Sequence, residues 1–333
     1  MKSEGWSEHA VNLGDFELES GQRLAGAKIK YCQIGALNAP KDNLILLPTY
    51  YGGRISGVVP WVDHPLSPLV TSDYCIVIPA LLGSGESSSP SNTAAPWDGP
   101  RFPSITIADN VRAQHALIEN HFSGAKIKLV AGWSMGGLQS IHWAALYPDQ
   151  VGAALAVCAT AQCYPHNRVF LEGVASALRA DPNYAAGDYH RAPTEGLIAF
   201  ARNYLAWAYS QRFFRLELYR ELGFSSMEAL QIFWEQDHLE QDANDLLHVL
   251  TTWKTANVFN HLLPRQKLMP RTLFMPSSSD LYFTAEDVAL DAEALGAECV
   301  VIESDFGHIA GGPGRLTAES QLIFQHMARL LQT

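Results

Sequence analysis

A six-residue run, Gly-Trp-Ser-Met-Gly-Gly at positions 132–137, joins a predicted strand directly to a predicted helix. Residues 126–131 have the apolar pattern of a buried strand, and residues 139–147 have helical spacing that ends at a proline. A serine in so tight a turn needs small neighbours two positions before and after it, which Gly132 and Gly136 supply. The run therefore predicts a serine hydroxyl lifted clear of a sheet, beside a helix N-terminus that favours negative charge.

Strands alternate with helices along most of the chain. A predicted antiparallel pair with a turn at Gly21 comes first, and four buried-strand patterns follow it: 43–47, 74–78, 126–131 and 151–158. The alternation resumes with a strand at 271–275 and another at 298–303. Such alternation is typical of right-handed βαβ units, so we predict an α/β fold whose mostly parallel sheet carries helices on both faces.

The alternation stops between residues 161 and 268. This stretch contains no convincing strand but has helical periodicity, many aromatic residues and dense charge. We interpret it as a helical lid placed over the C-terminal edge of the sheet, where such folds bind ligands. The predicted organisation is therefore a core of residues 1–160 and 269–333, interrupted by a helical insertion of residues 161–268.

The composition excludes several classes of function. The net charge is −11 without a Lys/Arg cluster, so neither a nucleic acid nor a membrane surface is an expected partner. Five cysteines, odd in number and without a C-x-x-C pair, indicate reduced thiols in a cytoplasmic protein. No signal-peptide pattern opens the sequence, and the longest apolar run, 151–161, is too short to cross a bilayer. No HExxH or Cys/His cluster predicts a metal, and no G-x-G-x-x-G predicts a nucleotide cofactor.

A nucleophile, an acid and a base follow predicted strands in the order Ser134, Asp280, His308. A serine hydroxyl attacks only when a base takes its proton, and an acid must orient that base. Asp280 comes just after strand 271–275, and His308 lies in a glycine-containing loop after strand 298–303. Other carboxylates remain possible as the orienting acid: Asp305, Glu286 and Asp287.

Acyl transfer also needs hydrogen-bond donors for the oxyanion that forms on the reacting carbonyl. One expected donor is the backbone N–H of Met135, the residue after the nucleophile. The second should come from the loop after strand 43–47, where we choose the N–H of Tyr50 and keep Thr49 or Tyr51 as alternatives.

Several segments resemble the homoserine O-acetyltransferase family of α/β-hydrolase fold proteins, over nearly the whole length of the chain. They are residues 102–114, the block 134–139 with Trp143, 147–149 and Val151, and the insertion segments 180–182, 187–189 and 201–202. The resemblance implies an α/β-hydrolase fold and a homodimer that buries the aromatic-rich insertion. It also implies that Arg202 and Tyr209 line the site, with the arginine meeting a substrate carboxylate. An ion-paired arginine and a packed tyrosine are the alternative.

One position departs from the family pattern. The transferases follow the catalytic histidine with an aspartate that faces the homoserine amine, whereas this chain has Ile309. An isoleucine cannot pair with an ammonium group, which would be costly to bury alone. We therefore predict a serine hydrolase that cleaves short-chain carboxylic esters, acetates above all, through an acetyl-serine.

The alternative function is transfer of acetyl from acetyl-CoA to homoserine or another small alcohol. A non-catalytic ligand receptor on the same fold is a third hypothesis, and the intact set of Ser134, Asp280 and His308 disfavours it. Haloalkane dehalogenation is disfavoured because the turn carries serine where that chemistry requires aspartate.

Overall fold

A computed structural model describes residues 6–332 of the chain. It opens with two long antiparallel strands, β1 Ser7–Glu17 and β2 Arg23–Ile34. Gly21 lies in the tight turn between them at φ +79°, a left-handed conformation that favours glycine. The sequence pattern predicts this antiparallel pair over residues 16–19 and 28–34, and both observed strands are longer than these ranges.

Six shorter strands complete the sheet within residues 6–332. They are β3 Leu44–Leu46, β4 Cys75–Pro79, β5 Ile127–Trp133, β6 Ala153–Val157, β7 Arg271–Met275 and β8 Glu298–Cys299. The strand order is β1-β2-β4-β3-β5-β6-β7-β8, with antiparallel pairing up to β4 and parallel pairing from β4 to β8. The carboxyl ends of the parallel strands therefore meet at one edge, where the loops carry the candidate site residues.

The α-helices of the described chain are α1 Ile55–Val58, α2 Pro60–Asp63, α3 Ile107–His121, α4 Met135–Leu146, α5 Pro165–Arg179, α6 Thr194–Ala208, α7 Gln211–Arg215, α8 Met227–Leu239, α9 Ala243–Lys254, α10 Ala285–Leu295 and α11 Thr317–Leu331. Short 3₁₀ turns stand at Gly99–Arg101, Pro182–Gly187, Leu218–Arg220, Val258–His261 and Gly307–Gly311.

Both faces of the sheet are buried. Leu44 and Leu46 of β3 join one apolar cluster, whereas Ile45 and Leu47 join the other. Helix α3 belongs to the first cluster and α11 to the second. Alternate residues of a strand point to opposite faces, so helices cover the sheet on both sides, as the sequence predicted.

Five of these helices, α5 to α9, lie between β6 and β7. They pack on the core through apolar contacts and through side chain to backbone hydrogen bonds. The Tyr282 hydroxyl donates to the Tyr204 carbonyl of α6 at 2.7 Å, and the Thr252 hydroxyl of α9 donates to the Ile105 carbonyl at 2.7 Å. The predicted stretch without strands is thus a set of helices anchored to the loops at the sheet edge.

The last strand is shorter than the pattern predicts. β8 covers two residues of the expected 298–303, although beyond it the Ile302 N–H donates to the Pro276 carbonyl at 2.7 Å. Val301, at the sheet edge, is 37% exposed. After Cys299 the pairing with the β7 segment continues only as an isolated bridge between Ser277 and Ile302, so the regular strand ends there.

No helix within residues 6–332 combines the length and the apolar character needed to cross a membrane. The five cysteines are free thiols, and all except the half-buried Cys299 are buried, in agreement with the prediction of reduced core thiols.

Candidate active site

Ser134 lies at the sharp turn between β5 and α4, with φ 57° and ψ −126°. A Cβ atom on Gly132 would lie 2.1 Å from the backbone carbon of Gly136, and one on Gly136 would lie 2.7 Å from the Pro48 carbonyl oxygen. Both positions therefore require glycine. A non-glycine residue at positive φ is strained, and such strain concentrates at functional sites.

His308 and Asp280 form a buried pair beyond the carboxyl ends of β7 and β8. The His308 Nδ1 lies 2.7 Å from Asp280 Oδ2, and each residue is 4% exposed. The other carboxylate oxygen accepts the backbone N–H groups of Tyr282 at 2.8 Å and Phe283 at 3.2 Å. Because Nδ1 is committed to the carboxylate, Nε2 is the nitrogen left to accept a proton.

Aromatic rings enclose the imidazole of His308. Trp133 stacks on it with ring centroids 4.9 Å apart and planes at 26°, while Tyr282 meets it edge-on at 4.9 Å and Phe283 lies at 5.6 Å. The Trp133 indole N–H also donates to the His308 carbonyl at 3.2 Å. These contacts fix the ring plane and keep water from its faces.

The three alternative candidates for the orienting acid, Asp305, Glu286 and Asp287, have environments different from that of Asp280. Asp305 receives the guanidinium of Arg212 at 3.0 Å. Glu286 is exposed in the first turn of α10, and Asp287 lies half-buried next to it, its backbone N–H bonded to the Thr284 hydroxyl. Of the four carboxylates considered from the sequence, Asp280 is the one hydrogen-bonded to His308.

A cavity of about 300 Å³ opens at Ser134 and His308. Ile309 lines it, as expected from the sequence, and seven aromatic side chains contribute to the surrounding wall. The aromatic lining residues are Tyr50, Tyr51, Trp133, Tyr204, Phe233, Trp234 and Tyr282. Helices α6 and α8 provide part of this wall, so the insertion shapes the space above the nucleophile.

Charged side chains lie along the same cavity, among them Arg54, Arg315, Asp237 and Glu240. All four are exposed, which places their charges toward solvent. The hydroxyl of Tyr50 lies near Arg315 and Asp237. Burial raises the pKa of Tyr50, and the positive charge of Arg315 opposes that rise. The cavity therefore combines an apolar wall with charges at its open side.

Two residues expected from the family resemblance do not line this cavity. Arg202 is exposed on α6, and its guanidinium pairs with Glu235 at 2.7 Å. Tyr209 is 2% exposed and stacks on Phe213 at 4.1 Å. In this structure the position of Arg202 on α6 turns its side chain toward α8, away from the cavity, so a contact with a substrate carboxylate stays a prediction. The alternative of an ion-paired arginine and a packed tyrosine describes both residues.

The loop after β3 runs beside the nucleophile. The Thr49 N–H already donates to the Pro79 carbonyl at 3.1 Å, which removes Thr49 from the possible oxyanion donors. Tyr50 and Tyr51 both line the cavity with Ser134. Met135 is the first residue of α4, so its N–H has no carbonyl acceptor inside the helix.

Several residues that line the cavity are not among those predicted from the sequence. Trp133 could have been found, since it precedes Ser134 in the turn. Arg315 follows the base by seven positions in a glycine-containing loop, and Trp234 and Asp237 lie on α8. No sequence signal marks these three, because their place in the cavity depends on how distant segments pack.

Cys158, Asp280 and His308 offer ligand atoms that lie within 4.8 Å of one another. Burial raises the pKa of the Cys158 thiol well above its usual range, so the thiol stays protonated and binds metals poorly. His308 Nδ1 is committed to Asp280 as well. This donor set fits an oriented acid–base pair better than a metal site.

Comparisons with known proteins agree with this geometry. The family profile for the alpha/beta hydrolase fold matches residues 42–312. An ethyl acetate hydrolase from Pseudomonas veronii is 32% identical, over 97% of this chain and 95% of its own length. A homoserine O-acetyltransferase from Geobacter sulfurreducens is 30% identical, over 89% of this chain and 90% of its own.

A solved structure is similar over nearly the whole chain. The structure of an acetylester hydrolase from Corynebacterium glutamicum matches with a TM-score of 0.92 and 28% identity, over 98% of this chain and 96% of that one.

Proposed function

This chain belongs to the α/β-hydrolase fold family, and from that premise we propose that it hydrolyses short-chain carboxylic esters, acetates above all, through an acetyl-serine at Ser134. The predicted fold and family are confirmed. The observation that carries the proposal is that His308, oriented by the buried Asp280, lines one cavity with the strained Ser134 and the apolar Ile309.

Acylation follows from the roles of the three residues. His308 Nε2 takes the hydroxyl proton of Ser134 as its oxygen attacks the ester carbonyl, and Asp280 stabilises the imidazolium that forms. The N–H groups of Met135 and Tyr50 hold the oxyanion of the tetrahedral intermediate. The imidazolium then gives its proton to the leaving alkoxide, and an acetyl group remains on the serine.

Deacylation repeats these steps with water. His308 deprotonates a water molecule, which attacks the acetyl-serine, and acetate leaves as Ser134 regains its proton. The reaction uses a small-molecule ester and needs neither a metal nor an organic cofactor.

Ile309 favours water over an amino-bearing alcohol as the acceptor. It lines the cavity beside the base, is 3% exposed and offers no group to pair with an ammonium ion. The names of the ethyl acetate hydrolase and the acetylester hydrolase agree with this choice. Transfer from acetyl-CoA to homoserine remains the second candidate, which the similarity to homoserine O-acetyltransferases supports.

The insertion of residues 161–268 acts in this proposal as a lid on a core of residues 1–160 and 269–333. It supplies Tyr204, Trp234 and other cavity walls. Its surface exposes large apolar side chains outside the cavity: Leu216, Met227 and Ile232. We infer that this surface joins two copies into a homodimer, since exposed apolar patches of this kind mark interaction sites. Five free thiols support a cytoplasmic location.

Replacing Ser134 by alanine tests the nucleophile. We expect p-nitrophenyl acetate turnover to fall by about 10⁴-fold or more, with the circular dichroism spectrum and melting temperature kept, because the nucleophile is lost while its surroundings remain. Turnover equal to that of the wild type would refute the assignment.

The same preparation separates the two candidate reactions. Wild-type enzyme should release acetate from ethyl acetate faster than it forms O-acetylhomoserine from acetyl-CoA and homoserine. The opposite ratio would establish transfer and overturn the interpretation of Ile309.

A further inference from the structure

Gln139, on the second turn of α4, bridges two segments of the candidate site. Its side chain is fully buried, and its Nε2 donates to the Thr49 carbonyl at 2.8 Å and to the Met135 carbonyl at 2.9 Å. The mechanism above does not use this residue. One side-chain amide thus ties the loop after β3 to the first residue of the nucleophile helix.

The direction of this amide is set by a buried relay. The indole N–H of Trp143, which can only donate, reaches Gln114 Oε1 at 2.7 Å, and Gln114 Nε2 reaches Gln139 Oε1 at 2.6 Å. The relay begins at a donor and ends at two carbonyl acceptors, so each amide has one orientation that satisfies every bond. All three side chains are at most 1% exposed, where an unmade hydrogen bond is costly.

The Thr49 carbonyl shares a peptide unit with the N–H of Tyr50. The unit is planar and trans, so the C=O and the N–H point in opposite directions. Holding the oxygen against Gln139 therefore aims the Tyr50 N–H away from the relay. The Thr49 side chain is held as well, since its hydroxyl oxygen accepts the Leu81 N–H at 3.0 Å.

The nucleophile helix approaches this peptide closely. The position where Gly136 would carry a Cβ lies 2.7 Å from the Pro48 carbonyl oxygen and 3.5 Å from that of Thr49. The loop and the helix are therefore in backbone contact at the point where Gln139 joins them.

We propose that Gln139 is a positioning residue of the oxyanion hole, which fixes the Thr49–Tyr50 peptide so that the Tyr50 N–H faces the carbonyl attacked by Ser134. This inference rests on the proposed ester chemistry, since it assigns Tyr50 as a donor. Gln139 itself touches no substrate: it acts through the peptide plane that it holds.

Gln139→Met tests the proposal, because methionine fills similar space without donating. We expect kcat for p-nitrophenyl acetate to fall about 10- to 100-fold with KM nearly unchanged, a smaller loss than full removal of an oxyanion donor. The affinity for ethylboronic acid, which forms a tetrahedral adduct on the serine, should fall by a similar factor. A residue with a purely structural role would not weaken this transition-state mimic in proportion to kcat.

Ser140→Ala is the matched control. Ser140 is the next residue of α4, fully buried, and its hydroxyl donates to the Gly136 carbonyl at 2.9 Å without contacting Thr49. It should keep the wild-type kcat and boronate affinity.

Gln114→Met tests the relay from another helix, α3, and keeps the proposal falsifiable if Gln139→Met does not fold. It breaks the bond that orients Gln139, so we expect a loss of about 3- to 10-fold in kcat, again with a parallel loss of boronate affinity.

The outcomes separate this inference from the proposed function. If Ser134→Ala keeps turnover, the ester mechanism fails. If Ser134→Ala is inactive while folded Gln139→Met and Gln114→Met keep the wild-type kcat and boronate affinity, the role of Gln139 alone is overturned. A loss of kcat without weaker boronate binding also contradicts the proposal.

Discussion

Asp280 holds its place at the candidate site by three hydrogen bonds. One carboxylate oxygen meets His308 Nδ1, and the other accepts two backbone N–H groups of its own loop. A carboxylate with this many donors is fixed in orientation, so the imidazole it contacts is fixed too.

Asp280→Asn should lower kcat for acetate esters by about 10⁴-fold while the protein stays folded. An asparagine keeps the shape but no longer stabilises the imidazolium, and it can place the imidazole in the wrong tautomer. Steady-state kinetics on p-nitrophenyl acetate measure the effect.

Asp305→Asn is the control, because Asp305 is also near the base in sequence but pairs with Arg212. The kcat of the Asp305→Asn variant should match that of the wild-type protein. A large loss in Asp305→Asn together with little loss in Asp280→Asn would reverse the assignment.

Residues fixed by local chain geometry could be predicted from the sequence, whereas those fixed by packing could not. The turn at Ser134 needs glycines at defined positions, and His308 follows a strand. Both residues can therefore be recognised from the sequence alone. Arg202 and Arg315 show the opposite case. Arg202 lies on a helix of the insertion and Arg315 in a loop after the base, yet of these two only Arg315 lines the cavity. The position of Arg202 around the axis of its helix directs its side chain to Glu235 instead.

At the scale of elements, one carboxylate ties α9 to the polar loop of residues 83–103. Asp245 accepts the Ser91 N–H at 2.9 Å and the Ser91 hydroxyl at 2.5 Å, and the Ser89 hydroxyl donates to it at 3.3 Å. Burial raises its pKa to about 6, although these hydrogen bonds oppose the rise. These hydrogen bonds thus attach the loop of residues 83–103 to the insertion.

Asp245→Asn should change how stability depends on pH. The folded state binds the Asp245 proton more tightly than the unfolded state, so the contribution of Asp245 to wild-type stability falls as pH rises from about 4 to about 6. Asparagine removes this loss. The melting temperature of the variant relative to wild type should therefore rise between pH 4 and 6 and then level off.

Thermal unfolding followed by circular dichroism at pH 4 to 8 provides the measurement. A difference in melting temperature that stays constant over this range would contradict the raised pKa of Asp245.

Strand and helix positions in the core follow from hydrophobic periodicity, because each core element buries one regular face. Apolar residues recur at helical spacing from residue 107 to residue 121, which predicts a helix with the same ends as α3. The last strand was overestimated, since periodicity cannot tell an edge segment with few partners from a paired strand.

At the scale of the whole molecule, we expect a homodimer with twice the 36.6 kDa mass of the chain. Ile232 is 56% exposed on α8 among other apolar side chains. Ile232→Glu should give a monomer, because a buried, unpaired charge at an interface is costly. Size-exclusion chromatography with light scattering measures the mass.

Leu290→Glu is the control for this experiment. Leu290 is similarly exposed, at 54%, but lies on α10 of the core, and its variant should stay dimeric. A wild-type protein that elutes with the mass of one chain would contradict the expected homodimer.

The position of helices α5 to α9 between β6 and β7 has a consequence for how such proteins diversify. Ser134 lies before this stretch, and Asp280 and His308 lie after it, all on loops at the sheet edge. The stretch nevertheless supplies much of the cavity wall. Recombination at these two junctions would replace the whole stretch, and with it this part of the cavity wall, in one step. The new stretch would change the substrate preference, while Ser134, Asp280 and His308 would stay in place.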